Sequence, residues 1–386
     1  MRIAVNTRLL LYGRLDGIGW FTAETLRRIV RDHPEHEFFF LFDRKPDSSF
    51  LFASNVRALV LHPQARHPLL WYLFFEWSVP RALRRLDIDF FLSPDGWISL
   101  RTSVPTLTVV HDLNFEHSND FLRPSHQRYM KSFFPRFAYK ATRVATVSEY
   151  SREDIAKIYG IDSMKIDVVY DGAHSNYRPC TEEEMMQTRA HFTDGKPYFL
   201  FVGTISRRKN LTNILLAFDK LKSEHPSDLQ LMVVGSRYWW QDELKEAYDN
   251  MRFQHDVRFV GRMDADRLSQ LMASAVALVY PSFFEGFGIP ILEAFNAGTA
   301  VITSDVTSMP EVAGDAALLV NPYSVDAIAD AMLRIADDDV LRNDLIAKGK
   351  ERSKLFSWNR TASLLWDSIV RTCQDAHLDM GDTKKS

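Results

Sequence analysis

Short apolar runs alternate along the whole chain with longer segments in which apolar residues recur every three or four positions. The runs read as buried strands of a parallel sheet, and the periodic segments as helices that cover it. In the first half the pattern predicts strands near 2–6, 37–42, 89–92, 106–110, 143–147 and 166–170, and helices near 17–32, 78–86, 125–139 and 150–159. In the second half it predicts strands near 198–202, 229–234, 257–260, 276–280, 300–303 and 317–320. Helices there are expected near 210–222, 241–250, 264–274, 290–297, 308–313 and 324–337. The series therefore runs through twice. Between the two runs lies a polar stretch, 176–196, with Pro179, Thr181-Glu182-Glu183-Glu184 and then Pro197, which reads as a linker with a short helix. The expected fold is α/β: two doubly wound, Rossmann-like domains, 1–178 and 179–355, facing a central cleft with ligands at the carboxyl ends of the strands.

Composition narrows the classes. With 386 residues, 46% of them hydrophobic and 25% charged, the chain suits two ordinary globular domains. Cys180 and Cys373 form neither a disulfide framework nor a metal pattern, so a reducing cytoplasm is expected. The opening M-R-I-A-V-N reads as a first strand and not as a signal peptide. No run reaches the roughly 18–20 apolar residues that cross a bilayer. The net charge of −3 divides into +4 over residues 1–180 and −7 over the rest. Ordinary scatter explains that split, or a basic half that favours an anionic acceptor or a membrane surface. A nucleic-acid binder would show clustered basic residues, and none stand out.

One stretch concentrates candidate chemistry: Y-P-S-F-F-E-G-F-G-I-P-I-L-E-A-F-N-A-G, residues 280–298. It follows an apolar strand and closes in a helix that Pro290 starts and Gly298 stops. Gly286 and Gly288 flank Phe287, which lets the backbone turn sharply beside a ligand. The helix start offers N–H groups and a positive dipole end to a phosphate. Glu285 and Glu293 place two carboxylates around this loop, suiting hydroxyl-rich groups beside a phosphate, as in a sugar nucleotide. The plainer alternative is a strand–turn–helix with surface glutamates.

Other candidates are weaker alone. Gly17 and Gly19 stand where the first strand gives way to a helix and suit a phosphate or a simple turn. Residues 67–86 are aromatic and then basic. They read as a packed helical excursion interrupted by Pro80, in preference to an amphipathic patch in a lipid headgroup layer. The strand T-L-T-V-V delivers His111 and Asp112 to its carboxyl end, as a structural hydrogen-bonded pair or as a group acting on a hydroxyl. Ser148 and Ser151 read as caps or phosphate contacts, capping being preferred for Ser151. In the second half Gly203 ends a strand, and Arg207, Arg208 and Lys209 precede a helix, where they can neutralise a diphosphate leaving group. Met263 follows another strand end, whose backbone could line a nucleobase slot.

Taken together, V-G-T-x-x-x-R-K-N, E-G-F-G-x-P-x-L-E-A and P-E-V-A-G-D-A-A resemble the retaining GT-B glycosyltransferases of family 4, the mannosyl- and glucosyltransferase group. V-H-D-L, T-V-S-E-Y-S and V-V-Y-D-G-A extend the likeness into the first half, and F-S-W-N-R-T-A-S-L-L-W is similar to the family's last helix. The resemblance implies that this helix, within 356–386, packs back on the first domain. It implies a donor site in which Arg208 and Lys209 bind the diphosphate and Glu285 meets sugar hydroxyls. Gly286, Phe287, Gly288 and Ile289 would supply backbone N–H groups, and Glu293 would accept from the ribose. Gly17 would let its loop approach the phosphates, and His111 would lie near sugar and acceptor. Many members carry Arg after the glycine at 203; here it is Thr204, and Arg207 stands where Pro is frequent, so the phosphate clamp is arranged differently. The implied activity is a metal-independent, retaining hexosyl transfer from a nucleotide sugar, GDP-mannose favoured, to a glycan or lipid-linked saccharide. No cofactor is implied. The rivals are a non-hydrolysing sugar-nucleotide 2-epimerase, and a binding protein that keeps the fold without catalysis.

Overall fold

The computed structural model describes residues 1–380 except 119, 120, 122, 175 and 237–241. The chain divides into two units, Met1–Gly172 with Trp358–Ser386, and Ala173–Ser357. In the first, β1 (Arg2–Asn6), β2 (Glu37–Phe42), β3 (Val56–Val60), β4 (Phe90–Ser93), β5 (Thr106–Val109), β6 (Arg143–Thr146) and β7 (Ile166–Val168) form a parallel sheet in the order β3-β2-β1-β4-β5-β6-β7. In the second, β8 (Tyr198–Val202), β9 (Gln230–Val234), β10 (Val257–Gly261), β11 (Ala277–Tyr280), β12 (Ala300–Ser304) and β13 (Leu318–Val320) take the order β10-β9-β8-β11-β12-β13. Helices cover these strands, which is why β2 and β8 read as unbroken apolar runs and are almost wholly buried. Each sheet reverses its strand order once, between β1 and β4 and between β8 and β11. In doubly wound sheets ligands bind at the carboxyl ends beside that switch.

Local chemistry fixes the element ends. Helix α1 (Gly17–Asp32) starts where the Asp16 carboxylate accepts from the Gly19 N–H at 2.9 Å. It packs against the helix Trp358–Asp375, which is tied to the same unit by Ser368 Oγ donating to Asp167 at 2.6 Å and Thr361 Oγ1 donating to the Tyr170 carbonyl at 2.7 Å. Ser148, not Ser151, caps the helix Glu149–Tyr159; its oxygen accepts from the Ser151 N–H at 3.0 Å.

The hydrophobic pattern misses β3 and one long helix, while the short helix expected in the linker is found. β3 is an edge strand whose Val-Arg-Ala-Leu-Val sequence is largely exposed, so it lacks the apolar run of a central strand. Asp339–Ser353 is a helix that buries only Leu345, Gly349 and Ser353, too narrow a stripe to read. The polar 176–196 stretch holds a helix of 12 residues, Glu182–Thr193, started by a reciprocal Thr181–Glu184 capping box. The expected start of the following unit's second helix at Gln241 lies outside the described residues; the helix seen is Asp242–Asp249.

Residues 67–86 are two-faced. Helices Pro68–Leu73 and Val79–Arg85 flank one wider, π-helical turn at Phe74–Ser78. Trp71, Phe74, Phe75, Val79 and Leu83 are buried in the first unit's core, which agrees with the packed reading. Leu69, Leu73 and Trp77, four residues apart, are exposed by 63%, 37% and 48%, and the exposed Arg81, Arg84 and Arg85 follow.

Candidate functional site

In the second unit the switch point brings the two sequence clusters together. β8 runs out into Gly203, whose carbonyl lies so close to Gly235 that a Cβ there would sit 1.8 Å from it. Only glycine at 235 lets the two strand ends meet. After Gly203 and the exposed Thr204, a single tight turn, Arg207–Lys209, leads to Asn210 in the left-handed region at φ +62°. Buried Asn210 explains that conformation, because its Nδ2 donates to the Pro281 carbonyl at 2.9 Å and the Pro322 carbonyl at 2.7 Å. Its side chain thus pins the cationic turn to the loops after β11 and β13. The Phe283 N–H donates to the Arg208 carbonyl at 2.9 Å and closes the register between turn and loop.

The side chains then converge on Glu285. Arg208 Nη1 donates to Glu285 Oε2 at 2.5 Å and to the Phe284 carbonyl at 2.7 Å. Lys209 Nζ donates to Glu285 Oε1 at 2.5 Å and also contacts the Tyr280 hydroxyl. The Tyr280 hydroxyl donates to Glu285 Oε1 at 3.1 Å, and its ring lies 4.7 Å below the ammonium. Burial alone would raise the Glu285 carboxyl, but Arg208 and Lys209 outweigh it and hold the group at about 2. One carboxylate fixes two cations, and the trio carries a net single positive charge. Glu285 thus meets both cations directly.

The loop beyond Glu285 is held from below. Ser308 Oγ lies within hydrogen-bond reach of the Glu285 and Phe287 carbonyls, at 2.9 and 3.0 Å. Gly288, at φ +109°, precedes the helix Ile289–Ala297, and a Cβ there would meet Met309 Cε at 2.9 Å. No side chain caps this helix start. Gly286, Phe287 and Gly288 are buried, and Ile289 is partly exposed. Glu293, farther along the helix, is buried; that burial raises its carboxyl to about 7, against the hydrogen bond from the Tyr177 hydroxyl. Met263, partly exposed, follows β10 at the sheet's edge. Tyr177, Asn210, Tyr280, Thr307 and Ser308 were not anticipated as site residues. Of these Asn210, inside the R-K-N motif, and Tyr280, at the head of the 280–298 stretch, carried a sequence signal.

The first unit holds the other candidates. His111 follows β5, with Nε2 2.8 Å from the Pro94 carbonyl and its ring edge-on to Phe21 at 4.9 Å. Burial lowers its pKa, partly offset by the Pro94 contact and by Asp112, Asp95 and Asp16. The anticipated His111–Asp112 hydrogen bond is not formed: Asp112 accepts instead from the N–H and side chain of Asn114, at 3.0 and 2.6 Å. A Cβ on Gly17 would meet nothing within 4 Å, whereas one on Gly19 would lie 3.0 Å from Leu15 and 3.2 Å from the Leu9 carbonyl. The tight glycine of this turn is therefore Gly19, and the chain leaves open space beside Gly17. Among the described residues no cluster of His, Cys, Asp and Glu is arranged to hold a metal, and no helix is long and apolar enough to cross a membrane.

Comparison with known proteins places this geometry in a family. Residues 183–352 match the family described as glycosyl transferases group 1, and residues 15–176 match glycosyltransferase family 4. O-antigen chain mannosyltransferase B of Escherichia coli is 31% identical over 373 residues, covering 93% of this chain and 96% of that protein. O-antigen chain mannosyltransferase RfbU of Salmonella typhimurium is 29% identical over 256 residues, 66% of this chain and 67% of the other. In fold the chain is similar to Anabaena HepE, solved in complex with UDP and glucose, with a TM-score of 0.75 at 16% identity over 96% of this chain and 99% of that one.

Proposed function

The chain belongs to the group 1, family 4 glycosyltransferases, with the two-domain GT-B fold, and from that premise we propose that it moves a hexose from a nucleotide-diphosphate sugar to a glycan or lipid-linked saccharide in cell-surface polysaccharide synthesis. Mannose from GDP-mannose is the favoured donor, because a relative matching nearly the whole chain is named an O-antigen mannosyltransferase. The observation that carries the reading is the Arg208–Glu285–Lys209 trio at the second sheet's switch point. Departure of a nucleoside diphosphate places negative charge on the phosphates, and a fixed net cation stabilises it where it develops. Glu285 holds both cations ready, so little reorganisation is needed when the bond breaks. Gly286 to Ile289 lead a helix N-terminus toward the same anion, and Glu293, when ionised, accepts from ribose hydroxyls. With the cations charged in place, the charge stabilisation is supplied without a metal ion. A carboxylate held near 2 by two cations is a poor nucleophile. This favours retention through attack on the face the leaving group vacates, without a covalent Glu285 intermediate.

The exposed Leu69, Leu73 and Trp77, with Arg81, Arg84 and Arg85 beyond them, support a peripheral contact with an anionic membrane face on the cytoplasmic side. In that reading the acceptor is lipid-borne. Sedimentation with anionic vesicles should carry down the protein, and Trp77→Ser with Arg84→Glu should release it. Equal sedimentation of both forms would remove the membrane reading alone.

The main test is nucleoside diphosphate release from GDP-mannose, UDP-glucose, UDP-N-acetylglucosamine and dTDP-rhamnose, without and then with a saccharide acceptor. Release from one donor, accelerated by acceptor, is the expected result. Conversion of UDP-N-acetylglucosamine to its 2-epimer without acceptor would favour the epimerase instead. Nucleotide binding with no turnover under any acceptor would favour the binding protein.

A further inference from the structure

The first unit buries an ion pair that the donor-site reading does not use. Arg8 Nε donates to Asp95 Oδ2 at 2.6 Å just past the ends of β1 and β4, with Arg8 8% and Asp95 7% exposed. The guanidinium lies 5.0 Å from the Trp97 ring and 5.6 Å from the Phe75 ring. Asn6 Nδ2 reaches Asp95 Oδ1 at 2.7 Å and Ser93 Oγ at 3.0 Å. The Trp97 N–H donates to Asp95 Oδ1 at 3.3 Å, and Ser93 Oγ donates to the Trp97 carbonyl at 2.5 Å. Gly96 turns at φ +86° against Phe134. The side-chain struts that brace the 93–97 turn against β1 and within itself run through Asp95 and Ser93. A buried ion pair adds little net stability over an apolar replacement, so its value here lies in specifying one geometry.

That geometry presents the Pro94 carbonyl to His111 Nε2 at 2.8 Å. A carbonyl only accepts, so the ring nitrogen facing it carries the hydrogen, and the neutral imidazole keeps its lone pair on Nδ1. Among the described residues no hydrogen bond to Nδ1 is seen. We infer that Asp95 is a positioning residue: through the Pro94 carbonyl it fixes His111 as the Nε2–H tautomer, so that Nδ1 accepts the hydrogen of a saccharide hydroxyl. The inference rests on the glycosyltransferase reading, with His111 beside the sugar. It adds a direction to that contact: His111 receives, and the saccharide donates.

The experiment uses the full chain with 15N-labelled histidine, and the His111 ring signals are identified by their loss in His111→Gln. The wild-type ring should show pyrrole-like Nε2 and pyridine-like Nδ1. In Asp95→Asn the two nitrogens should move toward averaged shifts, and transfer should fall about ten-fold, roughly what the loss of one oriented hydrogen bond costs. Nucleoside diphosphate binding should stay unchanged. Because Asp95→Asn leaves Arg8 buried without its counter-ion, Ser93→Ala is measured beside it; it keeps the ion pair, removes the Asn6 and Trp97 contacts of Ser93 Oγ and should move the same signals less. Acceptor-free donor hydrolysis identifies the hydroxyl: slowed together with transfer, it belongs to the transferred sugar; unaffected, it belongs to the acceptor. A wild-type ring protonated on Nδ1 would overturn the inference, even if the protein transfers a sugar. Unchanged ring signals in Ser93→Ala and in a folded Asp95→Asn would do so too, reducing Asp95 to a stability role. Failure of the glycosyltransferase reading would show separately, as no turnover of any donor by a wild-type protein with the expected tautomer.

Discussion

The two sheets are wound alike and furnished differently at the same topological point. Beside the β8–β11 switch, one carboxylate binds two cations and leaves a positive remainder. Beside the β1–β4 switch, one cation and one carboxylate cancel, and the neighbouring imidazole is kept neutral by burial. The topology makes a place for a ligand, and the local charge balance decides which ligand. A site with charge to spare suits a diphosphate; one balanced and edged by aromatic rings suits an uncharged, hydroxyl-bearing sugar.

Substitutions can break or sharpen that contrast. The largest effect is expected for Glu285→Ala, which leaves Arg208 and Lys209 facing each other. Transfer should fall about a thousand-fold, and the melting temperature should drop by the equivalent of about 3–5 kcal/mol. Nucleoside diphosphate should still bind, by calorimetry, and restore much of the lost melting temperature. If it restores none, the surplus charge does not serve the nucleotide. Lys209→Ala should weaken donor binding about a hundred-fold, read from a titration isotherm; an unaltered isotherm would count against the diphosphate assignment.

In the first unit, His111→Gln should slow transfer by about ten- to a hundred-fold with nucleoside diphosphate affinity unchanged. Equal loss of both would erase the distinction between the two edges. A smaller effect is expected from pH. Burial raises the Glu293 carboxyl to about 7, and its ionised form is the stronger acceptor of hydroxyl hydrogens. Donor affinity should therefore rise as pH goes from 6 to 8, by up to about ten-fold, and become flat in Glu293→Gln. Smallest is Asn210→Ala, which strips the Pro281 carbonyl of its donor, leaves the Pro322 carbonyl to Asn213, and should cost about 1–3 kcal/mol of stability, with a few-fold loss of transfer and no change in its pH profile.

The same contrast explains what was legible in the sequence. The central strands followed from apolar runs, because strands buried on two faces have no other way to be written, whereas the strand order came only with the structure. The donor-side cluster was legible because its parts are compact: Arg208 and Lys209 adjoin, and Glu285 to Ile289 are continuous. What holds that cluster was not, since Tyr177 and the Thr307–Ser308 pair lie far from it in sequence and act through one or two contacts each, Thr307 by accepting from the Glu285 N–H at 3.4 Å. The first unit's network was missed as a network, because Asn6, Arg8, Ser93 and Asp95 meet only when β1 and β4 lie side by side. Asp112 misled for the opposite reason: its sequence neighbour is His111, but its hydrogen-bond partner is Asn114.

The helix Trp358–Asp375 has a consequence for the order in which the protein can be made. Residues 173–357 form one uninterrupted unit, complete in itself once Ser357 has left the ribosome. In the first unit α1 waits for a packing partner, and Asp167 for Ser368, until the segment after residue 357 has emerged. The segment that follows the second unit therefore folds into the segment that precedes it, and a nascent chain stalled before residue 358 exposes the apolar flank of α1.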